Sequence, residues 1–390
     1  MTRRTLLLGS AGVAIGVVTG CSDGGSGERS SSSTPEPAPS SAAPTPSRTP
    51  STTPTPTPTP SQASPRGRPS PKVSGTIAKN LNVPWGIAFL QSGDALVSER
   101  DSGRILRITS RGKVSAIGEV AGAVGAAGQG EGGLMGIALA PGDEETLFAF
   151  MTTSSDDRIV RCSLAGGRVG RPAAILTGIP SSTRHHGGRL LFDRQGLLFV
   201  STGDAEDSST APNRRSITGK ILRIRPDGRA APGNPYGNRV WSYGHRNIEG
   251  LAFDGAGRLW ATEFGAQEAD ELNLISKGRN YGWPSVEGRS NERGLVSPKV
   301  VWSPTDTCSP AGLAISRSTA FVGALRGECL FAVPLNGTRA GNPRAYFAED
   351  YGRIRNVAVA PDGNLWMTTS NTDGRGDPSG DDDMILRVTL

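Results

Sequence analysis

One unit, repeated six times, constrains this chain more than any other feature. Each copy has a small residue, alternating apolar positions, a Gly- or Asp-containing turn and a second apolar run. The copies start at Gly86-Ile87-Ala88-Phe89, Gly136-Ile137-Ala138-Leu139 and Gly188-Arg189-Leu190-Leu191-Phe192. They continue at Gly250-Leu251-Ala252-Phe253, Gly312-Leu313-Ala314-Ile315 and Asn356-Val357-Ala358-Val359, with starts 44 to 62 residues apart. Turns such as Asp193-Arg194-Gln195-Gly196 and Pro361-Asp362-Gly363-Asn364 have hairpin chemistry. A third strand often reads apolar-Leu-Arg-apolar, as in Ile105-Leu106-Arg107-Ile108, Ile221-Leu222-Arg223-Ile224 and Ile385-Leu386-Arg387-Val388. That period fits four-stranded propeller blades with variable loops. The pattern predicts an all-β, six-bladed β-propeller over residues 73–390 with almost no helix. The segment around Val73–Lys79 is expected to supply the outer strand of the last blade and close the ring. A large sandwich or two small β domains explains the sixfold unit less well.

The chain before residue 73 has another character. A basic start with Arg3 and Arg4, then an apolar run from Leu6 to Val18, reads as a signal peptide rather than a membrane span. Val18-Thr19-Gly20-Cys21 resembles the lipobox of bacterial lipoproteins, which makes Cys21 the lipidation site and ends the signal at residue 21. Thr2-Arg3-Arg4-Thr5-Leu6-Leu7 resembles a twin-arginine export signal. Residues 22–72 are Ser, Thr, Pro, Gly and Ala with almost nothing apolar to bury, so they are expected to be a disordered, semi-rigid spacer. These features point to the extracytoplasmic face of a membrane, held there by lipid.

Charge and cysteine usage narrow the function. Of the formal net charge of +6, residues 1–72 carry +4, from seven Lys/Arg against three Asp/Glu. The remainder has no basic run or basic helix, which argues against a nucleic-acid partner. Beyond Cys21 stand Cys162, Cys308 and Cys329. Cys308 and Cys329 lie on successive segments and are placed to pair, and no spacing suggests zinc.

Propeller loops that enter the innermost strands gather at one end of the central channel. Here those entries are rich in polar groups. Arg184-His185-His186-Gly187-Gly188-Arg189 holds two of the chain's three histidines. His alone both takes and gives a proton readily near neutral pH. Gly130-Glu131-Gly132, Tyr243-Gly244-His245-Arg246-Asn247 and Tyr351-Gly352-Arg353-Ile354-Arg355-Asn356 form the other charged entries. Together they suit an anionic ligand gripped by arginines beside a histidine base.

The motifs His-x-Gly-Gly-Arg-Leu at His185, Gly-His-Arg-Asn at Gly244 and Glu-x-Gly-x…Asp-Glu-x-Asn at Glu263, in this order on a sixfold repeat, resemble a known family. It is the soluble pyrroloquinoline quinone (PQQ)-dependent sugar dehydrogenases, the glucose/sorbosone dehydrogenase family, and its aldose-oxidising branch in particular. The resemblance covers roughly Leu81 to Leu390. It implies that His185 is the general base for a sugar's anomeric hydroxyl and that Arg246 stabilises charge on the quinone oxygen, with Asn247 beside it. It implies that Arg326, Arg353 and Arg355 hold the cofactor and that Glu131 and His186 stand at the substrate. Calcium would be held by the backbone carbonyls of Gly265 and Ala266; a hard cation favours such oxygen ligands. Aldoses would be oxidised to lactones and electrons passed to an external acceptor.

Several residues read otherwise. Asp204 reads as structural, in a turn, and His245 as a support for Arg246. Asp270 and Glu271 are evenly divided between a site role and a solvated loop. The run Asp373-Gly374-Arg375-Gly376-Asp377, with Asp381-Asp382-Asp383 after it, reads as an exposed loop between the last two strands. Two other functions stay open at this level. One is a non-catalytic cell-surface binding propeller; the other is a calcium-dependent lactonase-type hydrolase, whose metal sites usually gather Glu, Asn and Asp side chains.

Overall fold

The computed structural model describes residues 69–126 and 130–390. The expected signal segment, Cys21 and the linker up to residue 68 lie outside the described residues. Six antiparallel sheets follow one another along the chain. Blade one is Pro84–Phe89, Ala95–Glu99, Arg104–Ile108 and Val114–Glu119, from the innermost strand outward. Blades two, three and four begin with innermost strands Leu134–Leu139, Gly187–Phe192 and Ile248–Phe253. Blade five begins with Pro310–Ser316, and its third strand, Cys329–Asn336, pairs with both Arg339–Ala340 and Arg344–Tyr346. Blade six runs Ile354–Val359, Leu365–Thr369 and Ile385–Thr389, and takes its outermost strand from Lys72–Ala78. The ring is closed by the chain's own early strand, as the sequence predicts. The described helices are three single 3₁₀ turns.

The repeated glycine has a physical cause. Innermost strands of neighbouring blades touch around the whole ring, Pro84–Phe89 meeting both Leu134–Leu139 and Ile354–Val359. At the approach a side chain does not fit. A Cβ on Gly86 would lie 2.9 Å from the backbone N of Ile137, one on Gly250 2.5 Å from the carbonyl of Ala311, and one on Gly312 2.6 Å from the Cα of Asn356. Each glycine in the repeat marks where one blade backs onto the next.

The apolar positions fill the wedges between blades. Among the described residues there are six buried clusters, one at each blade interface. At the closing interface Trp366 of blade six packs edge-on against Phe89 of blade one at 5.1 Å. A fully buried large apolar side chain contributes about 1.5–3 kcal/mol, so these wedges hold the ring. Cys308 and Cys329 share the core between blades four and five as separate thiols, and Cys162 is a third buried thiol. The pairing open from sequence is not formed, and burial pushes Cys329 up to about 12 and Cys162 to about 11.

Candidate active site

Residues just ahead of five innermost strands converge on one cavity of about 310 Å³. Five arginines line it, Arg184, Arg246, Arg326, Arg353 and Arg375, against two carboxylates, Glu131 and Asp270. His185 is on its wall. Blade entries that are 44 or more residues apart in sequence thus become neighbours in space, and the cavity is strongly cationic.

His185 is held at three points. Its backbone is left-handed, φ 63°, a conformation that costs a non-glycine residue on the order of 1 kcal/mol. The surroundings impose it: its N–H donates to Glu131 Oε2 at 2.9 Å and its carbonyl accepts from Ala205 N at 3.2 Å. In the ring, Nδ1 lies 2.8 Å from Asp204 Oδ1. Asp204 is 2% exposed, and its other oxygen accepts the Trp283 indole N–H at 2.8 Å. A carboxylate on Nδ1 fixes the ring as the Nδ1–H tautomer and leaves Nε2 as the basic nitrogen. Asp204 is therefore the partner of the His185 ring, a larger role than the structural turn read from sequence.

Arg246 is tied to the same knot. Its carbonyl accepts from Asp204 N at 2.8 Å, and its own N–H donates to Glu263 Oε1 at 2.6 Å. Nη1 reaches the carbonyl of Phe264 at 3.2 Å, and the guanidinium lies over the Trp283 ring at 5.6 Å. Nε is buried with no hydrogen-bond partner. Burial holds the Arg246 pKa below its ordinary value despite Asp204 and Glu131 nearby. Behind it, His245 is fully buried, with Nδ1 2.9 Å from Glu263 Oε2, Nε2 2.8 Å from Ser242 Oγ and the ring stacked on Tyr281. It supports Arg246 from behind, as expected.

Other candidate residues divide between the cavity and the layer beneath it. Arg326 is exposed on the cavity wall and makes no side-chain ion pair among the described residues. Arg353 also lines the cavity and bonds Asp373 Oδ2 at 3.1 Å. Arg355 does not line it. Its Nη1 is 2.5 Å from Glu249 Oε2, its Nη2 is 3.4 Å from Asp373, and it is 3% exposed, so it braces blades four and six from within the channel. Burial works against its charge, yet Glu249 and Asp373 outweigh this and hold its pKa up. Asp373 is 2% exposed between the two arginines rather than on an exposed loop.

Three further candidates have their side chains engaged within the protein. His186 is buried, with Nδ1 2.7 Å from Asp157 Oδ2, and belongs to the layer behind the cavity rather than to the substrate. Asn247 is buried too, and its Oδ1 accepts the Gly187 N–H at 2.9 Å; it holds the turn after His185 and His186. Both oxygens of Glu131 are occupied, one by the His185 N–H and one by Arg375 Nη1 at 2.8 Å. Burial would raise the Glu131 pKa, but the His185 amide and Arg375 outweigh it and bring it below the usual carboxylate value. Glu131 faces the cavity as a strut.

Gly265 and Ala266 do border the cavity. Their N–H groups donate to Asp270 Oδ1 at 2.9 Å and Glu287 Oε1 at 2.8 Å, while their carbonyls accept no hydrogen bond among the described residues. Asp270, on the same wall, is pushed up to about 7 by burial. No cluster of three or more His, Cys, Asp or Glu able to hold a metal occurs among the described residues.

A propeller with a carboxylate-oriented histidine on the wall of an arginine-lined cavity is built as an enzyme. The glucose/sorbosone dehydrogenase family model matches residues 81–386. The PQQ-bound aldose sugar dehydrogenase from Streptomyces coelicolor is 46% identical, with a TM-score of 0.78 over 82% of this chain and 97% of that one. Aldose sugar dehydrogenase YliI from Escherichia coli is 28% identical over 75% of this chain and 89% of its own. Quinoprotein glucose dehydrogenase B from Acinetobacter calcoaceticus is 30% identical over 56% of this chain and 54% of its own. The chain belongs to the glucose/sorbosone dehydrogenase family, a family of oxidoreductases.

Proposed function

We propose that this protein oxidises the anomeric carbon of aldoses to lactones with PQQ as cofactor, and that His185 is the base. The observation that carries the reading is the His185–Asp204 pair on the wall of a cavity that also holds Arg246, Arg326 and Arg353. PQQ is a tricarboxylate, and its fit is tested by the cations present: Arg326 has no carboxylate partner, and Arg246 keeps a buried, unbonded Nε. Arg353 adds a third guanidinium on the same cavity. When bound, the quinone supplies a two-electron acceptor for hydride from the sugar. The protein's part is proton transfer and charge placement. Nε2 of His185 takes the anomeric hydroxyl proton, and Asp204 stabilises the resulting imidazolium. Arg246 places positive charge where an oxygen becomes negative. The bare carbonyls of Gly265 and Ala266 are suited to calcium, which favours oxygen donors.

We further propose that the chain is exported, with Cys21 as lipid anchor and residues 22–72 as a spacer, and that it passes electrons to an external acceptor. A Cys21→Ser chain recovered in the membrane fraction like the wild type would remove the anchor from this reading.

The test is titration of the full chain with PQQ in calcium, followed by a panel of aldoses with a dye acceptor. Stoichiometric binding and sugar-dependent dye bleaching, both readable by absorbance, are expected. Turnover should vanish in His185→Ala while PQQ still binds. Binding without turnover on any aldose would leave the cofactor and remove the substrate class. No binding would overturn the quinoprotein reading.

A further inference from the structure

The wall formed by residues 264–269 has its polarity set from behind. A single oxygen, Oε1 of Glu287, accepts the N–H groups of Ala266 at 2.8 Å, Gln267 at 3.0 Å, Glu268 at 2.7 Å and Ala269 at 2.8 Å. Four donors on one oxygen is more than a neutral acceptor's two lone pairs accommodate, so the carboxylate charge is part of the arrangement. In a planar trans peptide each carbonyl points opposite to the N–H of the next residue. With the N–H groups of Ala266 and Gln267 on Glu287, the carbonyls of Gly265 and Ala266 are turned away from it. Both residues border the large cavity, whereas Glu287 lines a small hollow that shares Gly265 but lies against Ala269 and Glu271. Neither carbonyl accepts a hydrogen bond among the described residues. Ala266 is exposed and Gly265 half-buried, so the two adjacent carbonyls, turned one way, are open to a ligand from the cavity.

We infer that Glu287 is a positioning residue: its carboxylate gathers the amides of the 266–269 loop and thereby presents the Gly265 and Ala266 carbonyls as an oxygen cradle for a hard cation. It comes from the long excursion between the strands Asp270–Ile275 and Val300–Trp302, not from the loop itself. A change in that excursion would therefore alter cation binding without touching any ligand. The inference rests on the proposed calcium role of these carbonyls.

The test is the calcium affinity of the full chain in the presence of PQQ, by calorimetric titration, with melting temperature measured with and without calcium. Glu287→Ala is expected to weaken calcium binding tenfold or more and to abolish the calcium-dependent rise in melting temperature. Glu287→Gln keeps an acceptor oxygen without its charge and is expected to fall between, at least threefold weaker than wild type. It carries the test if the alanine variant does not fold. A lowered melting temperature with wild-type calcium affinity would make Glu287 a purely structural brace and overturn the inference. Absence of calcium binding by the wild type would instead remove the calcium reading, and the inference with it.

Discussion

His185 and His245 are built on one plan and end in opposite states. Each has Nδ1 on a buried carboxylate, at 2.8 Å from Asp204 and 2.9 Å from Glu263. Each of those carboxylates also holds a second group of the site, Trp283 in one case and the Arg246 amide in the other. The difference lies in the other ring nitrogen. Nε2 of His245 is consumed by Ser242 inside a sealed layer, whereas His185 stands on the cavity wall with Nε2 uncommitted. A carboxylate partner therefore does not make a histidine reactive. What sets His185 apart is a far nitrogen that is both unpaired and on the cavity wall; Nε2 of His186, whose Nδ1 is paired with Asp157, also has no partner but is buried.

The comparison can be broken most directly at His185, the proposed base. His185→Gln is expected to lower kcat by about 10³-fold, within the usual range for a general base, with PQQ affinity near wild type. Stopped-flow reduction of the bound cofactor by sugar would show it; retention of turnover would make another group the base. Asp204→Asn should cost about 10²-fold in kcat, because the ring loses the partner that fixes its tautomer. The same substitution at the sealed pair, Glu263→Gln, acts only through Arg246 and should cost about 10-fold. Equal losses in the two would erase the distinction between them.

Smaller effects sharpen it. Arg375→Ala frees one oxygen of Glu131 but leaves its bond to the His185 amide, so the sugar KM should change by about threefold or less, with kcat nearly kept. At His186 the expected effect is on stability. Burial opposes its charge, but Asp157 outweighs it and raises the His186 pKa. A raised pKa contributes stability that is full below the unfolded value of about 6.5 and is lost as pH rises through the folded value. His186→Asn should therefore destabilise by about 1–2 kcal/mol near pH 6 and by less near pH 9, with kcat unchanged. Thermal melts across that pH range check the sign.

Much of the ring was legible because its rule is local. Gly86, Gly250 and Gly312 announce themselves by a steric requirement that recurs with the blade, and the hairpin turns carry their own residues. The arginines were legible as a group for the same reason, since they sit at repeated entries. What could not be read is which of two adjacent residues faces the cavity. His185 rather than His186 does so because of a left-handed backbone imposed by Glu131 and Ala205 from other loops. Arg355 likewise looks like a second copy of Arg353, and only the proximity of Glu249 on a different blade turns it inward. Asp373 has the sequence of a solvated acidic loop, and Asp204 that of a turn. Their partners come from segments that sequence spacing does not bring near. Glu287 gave no signal at all, because its importance lies in backbone amides.

The clasp in blade six has a mechanical consequence. Lys72 pairs with Thr389 and Ala78 with Ile385, so the two ends of the propeller lie side by side in one antiparallel seam. A hoop fastened at one seam opens there first, however strong its other joints. Load arriving through the residues before Lys72 would fall on that seam, and so would a protease cut between it and blade one. A short linker joining the two ends would weld the hoop shut and allow the chain to be opened at another blade.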